Sequence, residues 1–176
     1  MKLNFDLVVI GSGPAGRRAA IQAAKLDKSV LVIEKFPRVG GVSVHSGTIP
    51  SKTLRETVLN LSGWRERGFY GRTYRVKNAI TVDDLKHRLG QTLDHEVDVL
   101  EHQFSRNSVT LKKGYARFSG RHEIQISDPQ GRVETITFKN ALISVGTKPY
   151  RPDHIPFDGA RILDSDEILD ISALPR

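Results

Sequence analysis

The sequence predicts an α/β fold, a Rossmann-like parallel sheet that also carries a small antiparallel β-meander. Three observations predict it. Two short apolar runs, "FDLVVI" at 5–10 and "SVLVI" at 29–33, flank an alanine-rich stretch, which is the order of a β-α-β unit. A long amphipathic stretch follows, from Thr81 to residue 104. After residue 107 the pattern changes to short strand-like runs punctuated by glycine and proline.

Each element follows from its residues. Residues 5–10 run apolar into a glycine, as a buried parallel strand does. Residues 16–26 are good helix formers, and Ala19, Ala20, Ala23 and Ala24 make a small-residue face that can lie close to a sheet. Residues 29–33 form the second strand and end at Glu34. Residues 48–64 read as a helix with Pro50 in the first turn, where a missing N–H does no harm. Residues 68–77 read as a loop. Thr81 is placed to cap a helix with Asp83 and Asp84 in its first turn. Leu85, Leu89, Leu93, Val97, Leu100 and Phe104 then recur at spacings of three and four, one core-facing stripe. Residues 108–111, 115–118, 123–127 and 133–138 read as the strands of a β-meander over 108–138, with "SDPQG" at 127–131 as a turn. Residues 140–145 return to a buried strand and stop at Gly146, before Pro149, Pro152 and Pro156 break regular structure. The tail from residue 161 is expected to hold a short strand and a helical turn beginning at Ser165 or Asp166.

Composition narrows the function classes. The 176 residues are 38% hydrophobic and 27% charged, a globular balance. The net charge of +7 is spread along the chain without a dense basic tract, so a solvated surface or a site for anionic cofactors is expected, not nucleic acid. No apolar run has the length to span a bilayer, and the N-terminal run contains Asp6 and flows into a glycine motif. A cytoplasmic protein without a membrane partner is expected. The absence of cysteine excludes disulfides, thiolate-ligated metals and thiol nucleophiles.

Gly11, Gly13 and Gly16 in "GSGPAG" form a G-x-G-x-x-G between a strand and a helix, with Glu34 closing the next strand. Gly11 suits the tight turn, Gly13 a close approach of backbone to a pyrophosphate, and Gly16 close packing of helix on strand. The helix N-terminus offers N–H groups and a positive dipole to phosphates. Glu34 can accept from a ribose, which favours an adenosine without a 2′-phosphate, hence FAD or NAD. The paired Gly40–Gly41 soon after Glu34 favours FAD.

The ordered segments "VVIGSGPAG", "VLVIEK", "VGGVSVHSGTIPSKTLRE", "GYARF", "ALISVGTKPYRP" and "DSDEIL" resemble the pyridine nucleotide-disulfide oxidoreductases along essentially the whole chain. The run "IPSKTLRETVLNLSGWRERGFYGR" is most similar to the soluble, Si-specific transhydrogenase branch. The resemblance implies the exchange NADPH + NAD⁺ = NADP⁺ + NADH by hydride transfer through FAD. Ser43 and Thr48 stand where the disulfide enzymes carry their two cysteines, so reduction of a disulfide substrate is not expected.

By the same resemblance, Gly11, Gly13, Pro14, Ala15 and Gly16 hold the pyrophosphate, and Glu34 the ribose. Lys35, Phe36, Pro37, Arg38, Val39, Gly40, Gly41, Val42 and Ser43 run along the AMP half. Ser43 and Thr48 lie beside the isoalloxazine, as polar lining or as fillers of former thiol positions. Lys52 lies near flavin N5, unless it is an ordinary surface lysine. His45 is polar lining. Gly114 and Ala116 pass the adenine, and Ser144, Val145, Gly146 and Thr147 close over the cofactor. A second G-x-G-x-x-G is absent after "DSDEIL". An incomplete chain is therefore expected, with 1–176 as the first portion of an N-terminal FAD domain that is inactive alone. The full-length protein is expected to be a homo-oligomer. The alternatives are a non-catalytic FAD- or NAD-binding module, and another flavin reductase of the same family.

Overall fold

The computed structural model describes residues 4–174. Of the domain expected over 1–176, residues 1–3 and 175–176 lie outside the described ones. The described chain divides into two compact units. One comprises the chain up to Val42 together with Glu96–Thr147, and the other comprises Ser43–His95 together with the chain from Lys148.

The first unit is built on a sheet of six strands. These are β1 (Phe5–Ile10), β2 (Val30–Glu34), β3 (Thr110–Lys113), β4 (Tyr115–Gly120), β5 (Glu123–Ser127) and β6 (Val133–Ile143), in the order β3-β2-β1-β6-β5-β4. β1 lies parallel to both β2 and β6, with Val8 opposite Leu31 and Ala141. Every residue of β2 is buried, as a strand covered on both faces requires. Asp6 fastens the start of this pair by accepting from both the N–H and the hydroxyl of Ser29, at 3.0 Å each.

Two sequence expectations change here. The first strand of the expected meander is not part of it. β3 runs parallel to β2, with Leu31 opposite Thr110 and Glu34 opposite Lys113. Gly114, at φ +157°, turns the chain away into β4, and its N–H donates to the Glu34 carbonyl at 2.9 Å. The strands expected at 133–138 and 140–145 are one strand. The first half of β6 pairs antiparallel with β5, and from Phe138 onward it pairs parallel with β1. This changeover lets Ile124, Ile126, Ile136 and Phe138 of the meander share one core with Val8, Leu31 and Ile33 of the parallel sheet.

Helix α1 (Pro14–Ala24) begins two residues before the expected start, because Pro14 is suited to the first helical position. Short helix α2 (Gly41–His45) was not expected and starts on Gly41, whose φ is +61°. Helix α3 (Thr48–Leu61) ends earlier than expected. Gly63, at φ +65°, donates to the Asn60 carbonyl and Trp64 to that of Leu59, the paired bonds of a Schellman stop. Where a loop was expected, helix α4 (Arg67–Tyr70) adds a single turn.

Helix α5 (Val82–Arg106) carries the predicted stripe. Leu85, Leu89, Val97, Leu100 and Phe104 are buried, and Leu93 is half-buried. Beyond Lys148 no strand forms among the described residues. Asp158 Oδ1 instead accepts from the N–H groups of Ala160, Arg161 and Ile162, a side-chain alternative to ladder pairing, and a 3₁₀ turn follows at Glu167–Asp170. No helix among the described residues is long and apolar enough to cross a membrane.

Candidate functional site

The turn from β1 into α1 is shaped by contacts that leave no room for side chains at two of its glycines. A Cβ on Gly11 would lie 2.3 Å from the Ser144 carbonyl oxygen, at φ +103°. A Cβ on Gly16 would lie 2.1 Å from the Gly11 carbonyl oxygen and 2.5 Å from Ser144 Oγ. Gly13 differs. Its φ of −63° suits any residue, and a Cβ there would meet only the Gly41 Cα, at 4.0 Å. The space beside Gly13 is open, a cradle that a side chain would fill.

Above that cradle stands the N-terminus of α1, which no side chain caps. The N–H groups of Ala15 and Gly16, in its first turn, have no intrahelical acceptor and face outward with the positive end of the helix dipole, whereas that of Arg17 donates to the Gly13 carbonyl at 2.9 Å. One turn further in, Arg17 Nε is buried without a partner. Desolvation, helped by neighbouring Arg18 and opposed by Glu96, holds the Arg17 pKa below its usual value. This end of the helix suits an anion.

The end of β2 supplies the second feature. Glu34 is 4% exposed. Its Oε2 accepts from Ser12 N–H at 2.9 Å and from Ser12 Oγ at 2.5 Å, and its Oε1 accepts from Phe36 N–H at 3.0 Å. Ser12 Oγ in turn accepts from Gly40 N–H at 3.0 Å. An ionised carboxylate has about four acceptor directions. Three are used, and one on Oε1 remains.

The other predicted residues fall as follows. In the first unit, Lys35 lies over the ring of Phe36 at 4.7 Å, and both are exposed. The Pro37 carbonyl accepts from Lys113 Nζ. Arg38 is half-buried, Val39 and Gly40 are buried, and Val42 is exposed. Gly114 backs Glu34 through its N–H, while Ala116 packs against the sheet core. The Ser144 hydroxyl has the carbonyls of Ile10, at 3.0 Å, and Gly11, at 3.2 Å, within reach of its single proton, which ties the glycine turn to the end of β6. Val145, Gly146 and Thr147 are exposed, with Gly146 at φ +76°. In the second unit, Ser43 lies on α2, while Thr48 and Lys52 lie four apart on one face of α3. The Lys52 side chain is exposed and makes no hydrogen bond or ion pair among the described residues.

The sequence reading missed Ser12, the variable position between two motif glycines. A polar residue there, followed by an acid at the end of the next strand, was the available signal.

The family model described as pyridine nucleotide-disulphide oxidoreductase matches residues 5–176. The chain is 49% identical over 173 residues to a soluble pyridine nucleotide transhydrogenase of Mycobacterium bovis BCG. It is 38% identical to one of Colwellia psychrerythraea and 35% identical to one of Escherichia coli O9:H4. Each alignment covers 98% of this chain and 37% of the relative, so the chain spans little more than a third of the curated relatives it matches.

Proposed function

The chain belongs to the pyridine nucleotide-disulphide oxidoreductase family, and from that premise we propose that it binds FAD in the cradle of the β1–α1 turn and serves NAD(P)⁺ transhydrogenation, NADPH + NAD⁺ = NADP⁺ + NADH. The observation that carries the reading is the contrast within the motif. Gly11 and Gly16 are required by the fold, whereas the space at Gly13 is left open beneath an uncapped helix end.

The residues present fit the cofactor. The first-turn N–H groups of α1 would hold the pyrophosphate, and the spare acceptor of Glu34 would take a ribose hydroxyl. A carboxylate at this point disfavours a 2′-phosphate, which supports FAD in this cradle over NADP. Bound flavin would supply the hydride exchange between the two nicotinamides. Lys52 offers an unpaired ammonium on the first turns of α3, able to balance negative charge there. Ser43 and Thr48 contribute hydroxyls that can hydrogen-bond but cannot carry electrons. The reaction proposed therefore needs no thiol. Location in the cytoplasm and a homo-oligomer of the full-length protein remain part of the proposal.

The test is made on the full-length protein. Purified protein should show flavin absorbance and pass hydride from NADPH to thio-NAD⁺ without an added thiol. Flavin whose absorbance NADPH does not bleach would overturn the transhydrogenase reading.

A further inference from the structure

Among the described residues of the first unit, Ser12 is the most enclosed polar side chain, at 1% exposure. Its hydrogen bonds have a fixed direction. The Glu34 carboxylate only accepts, so the Ser12 hydroxyl donates its proton to Oε2 and accepts from Gly40 N–H with its oxygen. Ser12 N–H donates to the same Oε2. Both acceptor directions of Oε2 are thus taken by one residue, and the remaining acceptor direction belongs to Oε1.

We propose that Ser12 is a positioning residue for recognition of the adenosine ribose: it fixes the rotation of the Glu34 carboxylate so that Oε1 is the oxygen offered to a ribose hydroxyl, and it ties that orientation to the Gly40 loop. This rests on the dinucleotide reading of the cradle. A hydroxyl at this position joins three segments that would border the ligand, namely the glycine turn, the end of β2 and the Gly40–Gly41 loop. Without it, Oε2 keeps only the backbone donor, the carboxylate is free to turn, and Gly40 N–H loses this acceptor. The contribution to binding comes through Glu34 and not through contact with the ligand.

A pair of ligands separates this role from simple support of the loop. The full-length protein, freed of flavin, is titrated with FAD, and ADP and 2′,3′-dideoxy-ADP are used as competitors. In the wild type, ADP should compete better than the dideoxy compound. Ser12→Ala should weaken ADP roughly tenfold, the scale of one hydrogen bond to a charged group, while changing the dideoxy compound less than about twofold. Ser12→Cys fills the position with a somewhat larger, weaker donor, and should show the same selective loss if the alanine variant does not fold. Equal losses for both ligands, or no loss for either, would overturn the proposal. So would a wild type that does not distinguish the two competitors. Failure of the wild type to bind FAD at all would overturn the cofactor reading and this inference with it.

Discussion

Helices α1 and α5 begin in opposite ways. Thr81 Oγ1 accepts from Asp84 N–H at 3.3 Å, while Asp84 Oδ2 accepts from Thr81 N–H and Oγ1 at 2.9 Å each. This reciprocal box, with Lys77 Nζ at 2.6 Å from Asp84 Oδ1, satisfies the start of α5 from within the chain. The start of α1 has Gly13 where a capping side chain would stand, and Pro14 next to it. One helix end is closed on itself and serves the fold. The other is left open, and the adjacent packing at Gly11 and Gly16 holds it open. Openness at a helix start thus points to a ligand only where rigid surroundings maintain it.

Four perturbations should break or sharpen this contrast. The largest concerns the support of the open end. Gly16→Ala drives a methyl into the Gly11 carbonyl and Ser144 Oγ, and should destabilise by about 3 kcal/mol or more, seen as a lowered denaturation midpoint. Next is the closed end. Thr81→Ala removes the cap of α5 and should cost about 1 kcal/mol in the same measurement.

The third effect is its acid counterpart. The Lys77 ammonium, followed by the N–H and hydroxyl of Thr81, lowers the Asp84 pKa from 3.8 to about 2. A depressed carboxylate stabilises the folded state above the unfolded pKa, and that contribution is lost as pH falls through the folded one. Stability should therefore drop between pH 4 and 2, and Asp84→Asn should flatten that part of the profile in acid titrations followed by circular dichroism. The smallest stability effect is at Lys52. Lys52→Ala should stay within about 0.5 kcal/mol of the wild type, because the side chain is exposed and unbonded, yet slow hydride transfer from NADPH in stopped-flow measurements. An unchanged rate would remove Lys52 from the proposed chemistry.

The parts of this molecule legible in its sequence are those fixed by local pattern. The α5 stripe was readable because its apolar residues share one face, and the glycine motif because strand, turn and helix are contiguous. Partner choice was not readable. "VTLKK" has no feature that distinguishes a meander strand from a parallel neighbour of β2, since pairing over long sequence distances leaves no local mark. The polar pair Lys139–Asn140 hid the continuity of β6, although its exposed positions fit a strand that changes partners there. At the candidate site, Glu34 was readable as the acid that ends a strand. Its bonding to Ser12 was not, because a buried hydroxyl between two glycines becomes informative only when the acceptor's position is known.

The most direct measurement compares Gly13→Ala with the wild type in two readouts, thermal denaturation and FAD affinity of the full-length protein. The backbone at Gly13 accepts a side chain, and the nearest atom to its Cβ would be 4.0 Å away. The account predicts stability within about 0.5 kcal/mol of the wild type and FAD binding weakened by about tenfold or more, since the methyl occupies the cradle. A Gly13→Ala protein that keeps its stability and binds FAD as tightly as the wild type would contradict the assignment of this turn to the dinucleotide.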